Sequence, residues 1–451
     1  MRPLARYSTS SRRSLPRPVP VLGVVALIGP LLGGLTGTVT DTVDAVIDAG
    51  VLAEGRALVH VSEDADLAAV ADQLAAAGTS IHSTYAAIDV VAVVGDPDAL
   101  ERVAGLDDVE WLERDAPVEL LTDTSHTATR GAQLLDGEVT VGGQIVDGSG
   151  IGVAVVDSGV DELHPDFAGR IGENVKVLPG GVAIPLPISD TASFGGHGTH
   201  VAGTVVGTGA ASGGTYRGAA TGATVHSVSA GAFISLAFAL DGLGWVLDNH
   251  DTVSPAIRVV NNSWGSSGEH NPNSAVTRMV NELVDAGVTV VFAAGNSGGD
   301  GSSLATSPEC TNQTPGVICV AAADDLGQGS RDGGLASFSS RGVDGRPETY
   351  PDLSAPGANI VAPCAPTLPI CLTGSFGAPN PIYYSSLSGT SMAAPHVAGI
   401  AAQVLQVAPD LTPAEVEALL VDTAYDRGLP AFADGAGHVD AVAAVLAATS
   451  G

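Results

Sequence analysis

The 451-residue chain is 45% hydrophobic and only 15% charged, which supplies a large buried core and excludes global disorder. Acidic residues number 49 against 18 basic ones, a net charge of −31; such a chain repels nucleic acid and anionic membrane surfaces, and no basic patch interleaved with aromatics offsets this. Glycine is abundant, at 58 residues, and aromatics are scarce, at 4%, a balance that favours a tightly turned α/β protein in which backbone approaches backbone.

In chain order, Arg2, Arg6, Arg12, Arg13 and Arg17 precede an apolar stretch at residues 19–35, so residues 1–45 read as a signal peptide or export region. Ser11-Arg12-Arg13-Ser14-Leu15 loosely matches a twin-arginine signal. The stretch is short for a membrane span and is interrupted by Pro30 and several glycines; a retained anchor is the alternative reading. Residues 54–122 read as a small separate unit, with strands at 57–61, 88–94 and 109–113 and helices at 64–77 and 98–104, a compact α+β sandwich. Residues 120–129 are polar and unpatterned, as in an exposed link.

The stretch 145–448 changes texture. Valine-rich apolar runs at 152–156, 225–229, 258–261, 288–293 and 317–321 read as buried parallel strands. Helical patterns at 197–206, 235–249 and 274–285 lie between them, so repeated βα units predict an α/β fold, a doubly wound and mostly parallel sheet. Ligands of such sheets bind beyond the carboxyl ends of the strands.

The chemistry-bearing motifs fall at those ends. Val155-Val156-Asp157-Ser158-Gly159 closes a strand with a carboxylate that can orient a histidine or merely cap a turn. Gly195-Gly196-His197-Gly198-Thr199-His200 places a histidine at a helix start, where His197 can serve as a general base. His197 and His200 are also spaced as a metal pair, but the glutamate of the His-Glu-x-x-His pattern is missing, so no metal is assigned. Ala294-Gly295-Asn296-Ser297-Gly298 ends another strand with an amide able to donate to an oxyanion. Ser388-Gly389-Thr390-Ser391-Met392-Ala393 puts Ser391 at a helix N-terminus, rich in free N–H groups. Gly295-Asn296-Ser297-Gly298-Gly299 formally fits G-x-S-x-G as well, which makes Ser297 a rival nucleophile.

The order Asp157, His197, Asn296, Ser391 resembles the subtilisin-like serine endopeptidases, the subtilase or S8 peptidase family, over roughly residues 150–446. The resemblance implies a subtilisin-like sheet and catalytic roles for these four. Ser391 is the nucleophile, His197 the base, Asp157 its orienter and Asn296 the oxyanion donor. It also implies an extended polypeptide substrate laid along Ser263, Trp264 and Gly265 on one side and Ala230, Gly231 and Ala232 on the other. Small residues Ala293, Ala294 and Gly295, with Thr306 at the floor, imply an uncharged side chain in the first specificity pocket. The 54–122 unit then resembles the family's ferredoxin-like propeptide, an intramolecular inhibitor and chaperone, and the 120–129 link becomes the maturation cut. A secreted, monomeric, self-processing zymogen that needs no cofactor follows. Asp166 matches one family calcium ligand, which leaves structural calcium open, although residues 207–222 lack the Asn-rich calcium loop. A catalytically silent binding module and an acyl-transferring ligase are the rival readings.

The four cysteines allow three pairings. Their spacings make Cys310–Cys319 and Cys364–Cys371 the simplest, implying an oxidising compartment; the C-x2-C spacing of a zinc site is absent.

Overall fold

The computed structural model describes residues 55–62, 65–85, 89–114, 124–178, 182–190, 195–230, 236–364, 368–374 and 382–449. The export region lies outside them. The chain divides into two compact units, Met1–Val118 and Glu119–Gly451.

The first unit runs β1 (Arg56–Val61), α1 (Leu67–Ala76), β2 (Ser80–Tyr85), β3 (Val90–Val94), α2 (Pro97–Ala104) and β4 (Val109–Arg114). Its sheet has the order β2-β3-β1-β4, with every pairing antiparallel. Asp66 and Asp96 start the two helices by accepting from Ala68 N at 3.0 Å and Ala99 N at 2.8 Å, and Pro97 fits the first helical position. Val59, Val91, Val93 and Leu112 of the sheet pack with Val70, Leu74, Leu100 and Val103 of the helices. Strand β2 was not among the expected elements. Its sequence, SIHSTY, is mostly polar, because β2 is an edge strand with Ile81 and Tyr85 exposed.

The second unit opens upstream of residue 145, with two short helices, α3 (Ser125–Ala128) and α4 (Gly131–Leu135). The exposed link expected over 120–129 is therefore corrected for its second half. Ser125, Ala128 and Thr129 are buried, and Ala441 N donates to Thr129 O at 2.9 Å. Small side chains let this polar stretch pack closely, which its lack of periodicity concealed. Residues 120–123 lie outside the described residues.

An eight-stranded sheet follows, in the order β12-β11-β10-β9-β5-β8-β6-β7. Its strands are β5 (Gly152–Asp157), β6 (Ile171–Leu178), β7 (Val182–Pro185), β8 (Thr224–Ser229), β9 (Ile257–Asn262), β10 (Thr289–Ala293), β11 (Val317–Ala323) and β12 (Leu353–Pro356). All pairings are parallel except β6 with β7 at the edge. The five expected strands are the central ones, buried on both faces. Strands β6 and β7 were hidden by polar interruptions and exposure at the edge, and β12 by its brevity.

Helices α5 (His197–Val206), α6 (Leu236–Asn249) and α7 (Ala275–Asp285) follow β7, β8 and β9. A ribbon of β13 (Ile360–Pro363) and β14 (Tyr384–Leu387), with α8 (Pro369–Gly374) between them, leads to α9 (Thr390–Val407). The chain then adds α10 (Pro413–Asp422), α11 (Ala431–Asp434) and α12 (Ala441–Ala448). One core cluster joins the sheet to α5, α9 and α12, and a second joins the opposite face to α6 and α7. Each fully buried valine or leucine in them stabilises the fold by about 1.5–3 kcal/mol. Both expected disulfides, Cys310–Cys319 and Cys364–Cys371, are formed. Among the described residues, no helix is long and apolar enough to cross a membrane.

Candidate active site

Strand β5 is buried along its whole length and delivers Asp157 as its last residue, with no exposure. Asp157 Oδ1 accepts from its neighbour Ser158 N at 2.7 Å and meets His197 Nδ1 at 2.8 Å. His197 opens α5 after Gly196, whose φ of +105° favours glycine, and its side chain is 18% exposed. Burial alone lowers the basicity of this imidazole. The charge and hydrogen bond of Asp157, with Asp190 adding its own charge, outweigh that and hold the pKa above its ordinary value. The pair therefore combines a fixed tautomer with an open Nε2, the arrangement a general base requires.

Ser391 is the second residue of α9. Pro395, inside that helix, lacks the N–H that would bind the carbonyl of residue 391. Ser263 Oγ fills the vacancy by donating to Ser391 O at 2.8 Å, and Ser391 Oγ donates back to Ser263 O at 3.0 Å. Asn261 Nδ2 in turn donates to Ser263 Oγ at 2.9 Å. No hydrogen bond joins Ser391 Oγ to His197, since the hydroxyl is turned to Ser263 O.

Asn296 follows β10. Its Oδ1 accepts from Thr390 N at 2.9 Å and from Thr390 Oγ1 at 3.1 Å, while Thr390 Oγ1 accepts from Gly295 N at 3.0 Å. With the carbonyl end tied, Nδ2 is the end left to face the site. A β-carbon added at Gly389 would lie 3.5 Å from Asn296 Nδ2 and 3.6 Å from Ser391 N. Both nitrogens thus lie within 3.6 Å of one point that glycine leaves open, the distance range in which two donors can share an oxyanion.

Beside that point lies a cavity of about 220 Å³ lined by Trp264, Gly265, Ser266, Ala293, Gly295, Asn296, Ser297, Ala305, Ser307, Thr390 and Ser391. No charged side chain lines it. Trp264 is both wall and core, since its Nε1 donates to Val156 O at 3.0 Å and its ring packs edge-on against Phe292. Thr306, expected at the floor, is buried instead and donates to Thr349 O at 2.8 Å; Ala305 and Ser307 take the lining positions. Ala294 is likewise buried away from the cavity. Ala230 is buried at the end of β8, where its N donates to Asp157 O at 2.8 Å. Gly231 and Ala232 lie outside the described residues. Ser297 lines the cavity, but no imidazole is bonded to its hydroxyl among the described residues.

His200 is fully buried, with Nε2 3.0 Å from Ile360 O and 3.1 Å from Ser385 O, and burial lowers its pKa to about 4. It packs α5 against the β13–β14 ribbon; among the described residues no cluster of metal-ligating side chains occurs. Asp166, the one residue that matches a calcium ligand, is held by protein donors. Tyr384 OH donates to one of its oxygens at 2.8 Å and Ala211 N to the other at 2.9 Å.

Two features of the site had no separate signal in the sequence. Asp190, seven residues before His197, is buried against the start of α5. The Cys364–Cys371 loop braces the same turn: Ile370 N donates to Gly195 O at 3.0 Å, and a β-carbon on Gly196 would clash with Cys371 Sγ.

The subtilase family model matches residues 148–439. The chain is 36% identical over 311 residues to serine protease AprX of Bacillus subtilis strain 168, covering 67% of this chain and 66% of that one. It is 33% identical over 355 residues to an extracellular serine proteinase of Thermus sp. strain Rt41A, covering 76% and 73%. Among solved structures it resembles fervidolysin from Fervidobacterium pennivorans, a keratinolytic enzyme related to subtilisin, with a TM-score of 0.54 and 25% identity over 87% of this chain and 61% of that one. The chain thus spans about two-thirds of AprX and 61% of the fervidolysin chain.

Proposed function

The chain belongs to the subtilase family, and from that premise we propose that it is a serine endopeptidase acting on extended polypeptides. Ser391 Oγ attacks the scissile carbonyl carbon as its proton passes to His197 Nε2. Asp157 holds the imidazole tautomer and stabilises the cation that forms. The carbonyl oxygen, now negative, is bound by Asn296 Nδ2 and Ser391 N. His197 then protonates the leaving amine, an acyl-enzyme remains on Ser391, and water activated by His197 hydrolyses it. The observation that carries this reading is the convergence of the two donors beside the nucleophile, with the Asp157–His197 pair in place.

The uncharged cavity lined by small residues supports a preference for an uncharged side chain next to the scissile bond. A substrate strand paired along Ser263, Trp264 and Gly265 would be recognised through its main chain, hence broadly. The first unit is the inhibitory propeptide in this reading; its β-α-β-β-α-β order and antiparallel sheet are those of ferredoxin-like folds. Its removal needs a cut upstream of α3, since α3 is part of the second unit. The two disulfides and the extracellular Thermus relative support secretion. No cofactor is required in this reading, and two protein donors already hold the Asp166 carboxylate in place.

The test is casein hydrolysis and fluorophosphonate labelling of the secreted protein. Labelled Ser391 with hydrolysis is expected; labelling without hydrolysis favours a ligase or a dormant zymogen. Ser391→Ala is expected to accumulate uncut precursor, and normal processing of that variant refutes self-cleavage.

A further inference from the structure

We propose that Asp190 is a positioning residue for the base, joining the first turn of the His197 helix to Ser158 so that His197 and Asp157 keep one register. This rests on the reading of His197 as the base. Asp190 is 2% exposed. Its Oδ2 accepts from Gly196 N at 2.8 Å and from Thr199 N at 3.3 Å, and also from Thr199 Oγ1. Its Oδ1 accepts from Ser158 Oγ at 2.9 Å.

Ser158 carries the tie onward in two directions. Its hydroxyl accepts from Gly198 N at 2.9 Å, and its amide donates to Asp157 Oδ1 at 2.7 Å. The backbone N–H groups of residues 196, 198 and 199 are therefore all anchored, directly or through one hydroxyl, to a single buried carboxylate. They flank His197 on both sides. Thr199 Oγ1 extends the anchor to the loop after β5 by accepting from Asp161 N at 3.0 Å. A carboxylate at the start of a helix also sits favourably in the helix dipole.

The charge of Asp190 gives this role a signature. The titratable groups around it are Asp157 at the end of β5 and His197 on α5, with His200 one turn further along. Burial raises the Asp190 carboxyl to about 6, against the hydrogen bonds that favour its charged form. Above that pH its negative charge adds to that of Asp157 in raising the His197 imidazole. Neutral asparagine removes the charge and puts a donor NH2 group where one accepting oxygen stood, so it loosens the tie as well. The imidazole then titrates at lower pH, and the acid limb of kcat/KM moves the same way.

The full chain carrying Asp190→Asn is compared with its parent by steady-state kinetics on a peptide amide and by histidine NMR. The expected result is a kcat lowered about 10- to 100-fold, the scale of a sub-ångström misplacement, with KM unchanged and the His197 titration moved to lower pH. Ser158→Ala, which breaks the tie without altering charge, is expected to lower kcat without moving the titration. A folded Asp190→Asn chain with parental kcat and parental titration overturns the proposal. If that variant does not fold, Ser158→Ala with parental kcat overturns it. A parent chain that hydrolyses nothing contradicts the protease reading, while the NMR titration of His197 still decides the role of Asp190.

Discussion

The serine half and the histidine half of the site are built on different plans. Ser391, Thr390 and Asn296 are held by neutral hydrogen bonds between segments, with Thr390 N and Oγ1 donating to Asn296 Oδ1 and Ser263 Oγ taking the carbonyl that Pro395 leaves free. His197 is held by charge, between Asp157 at the end of β5 and Asp190 seven residues before it, with the Cys364–Cys371 loop bracing its turn. The first plan aims donors at a point in space, so its failure should appear as lost transition-state stabilisation. The second sets the orientation and basicity of one imidazole, so its failure should appear in the pH profile.

The largest expected effect tests what the halves share. Replacing His197 with alanine should lower kcat by about six orders of magnitude, as in subtilisin, where base and nucleophile act as a unit. Asn296→Ala should follow, with kcat down about 100- to 1,000-fold, the range known from subtilisin, and KM little changed. If its acid limb moves as well, the proposed separation of the halves is wrong.

The two disulfides sharpen the comparison. Each closes a short loop and should stabilise the fold by about 2–3 kcal/mol, so thermal melting should fall similarly when either pair is replaced by serine. Activity should differ. Loss of Cys364–Cys371 should lower kcat, because its loop supports Gly195 and Gly196. Loss of Cys310–Cys319, which joins β11 to the segment just after the cavity-lining Ser307, should act mainly on KM. Equal kinetic effects would remove the special standing given to the histidine side.

The smallest effect is on stability against pH. Burial lowers His200 and His438 to about 4 and His396 to about 3, so the unfolded chain takes up their protons first and stability falls as pH drops below 6.5. Burial raises Asp352 to about 7 and Asp190 to about 6; their contribution is present below the ordinary carboxylate range and fades as pH rises through those values. With His164 and His226 also lowered by burial, the depressed histidines outnumber the raised carboxyls Asp352, Asp190 and Glu417, so stability should fall as pH drops from roughly 6 to 4. Denaturant titrations across that range check the slope. Asp352→Asn should gain stability relative to the parent as pH rises from about 4 to 7.

The same contrast explains what the sequence made legible. Asp157, His197, Asn296 and Ser391 each stand at a strand end or helix start inside a contiguous motif, and the central strands are apolar runs. Asp190 stands in a polar stretch with no periodicity, and its value comes from Ser158, Gly196 and Thr199 meeting it in space. Thr306 lies off the cavity: Ala305, Thr306 and Ser307 are all small and read alike in sequence, while only the first and third line it. Strand β2 is polar because it lies at a sheet edge, β6 is interrupted by Glu173, Asn174 and Lys176, and β7 is a four-residue, largely exposed edge strand.

The most direct measurement is mass-spectrometric mapping of a fluorophosphonate adduct on the mature protein. The account predicts modification of Ser391, faster at pH 8 than at pH 5 because neutral His197 must take the proton. Modification of Ser297 instead, or none on folded and fully matured protein, would contradict it.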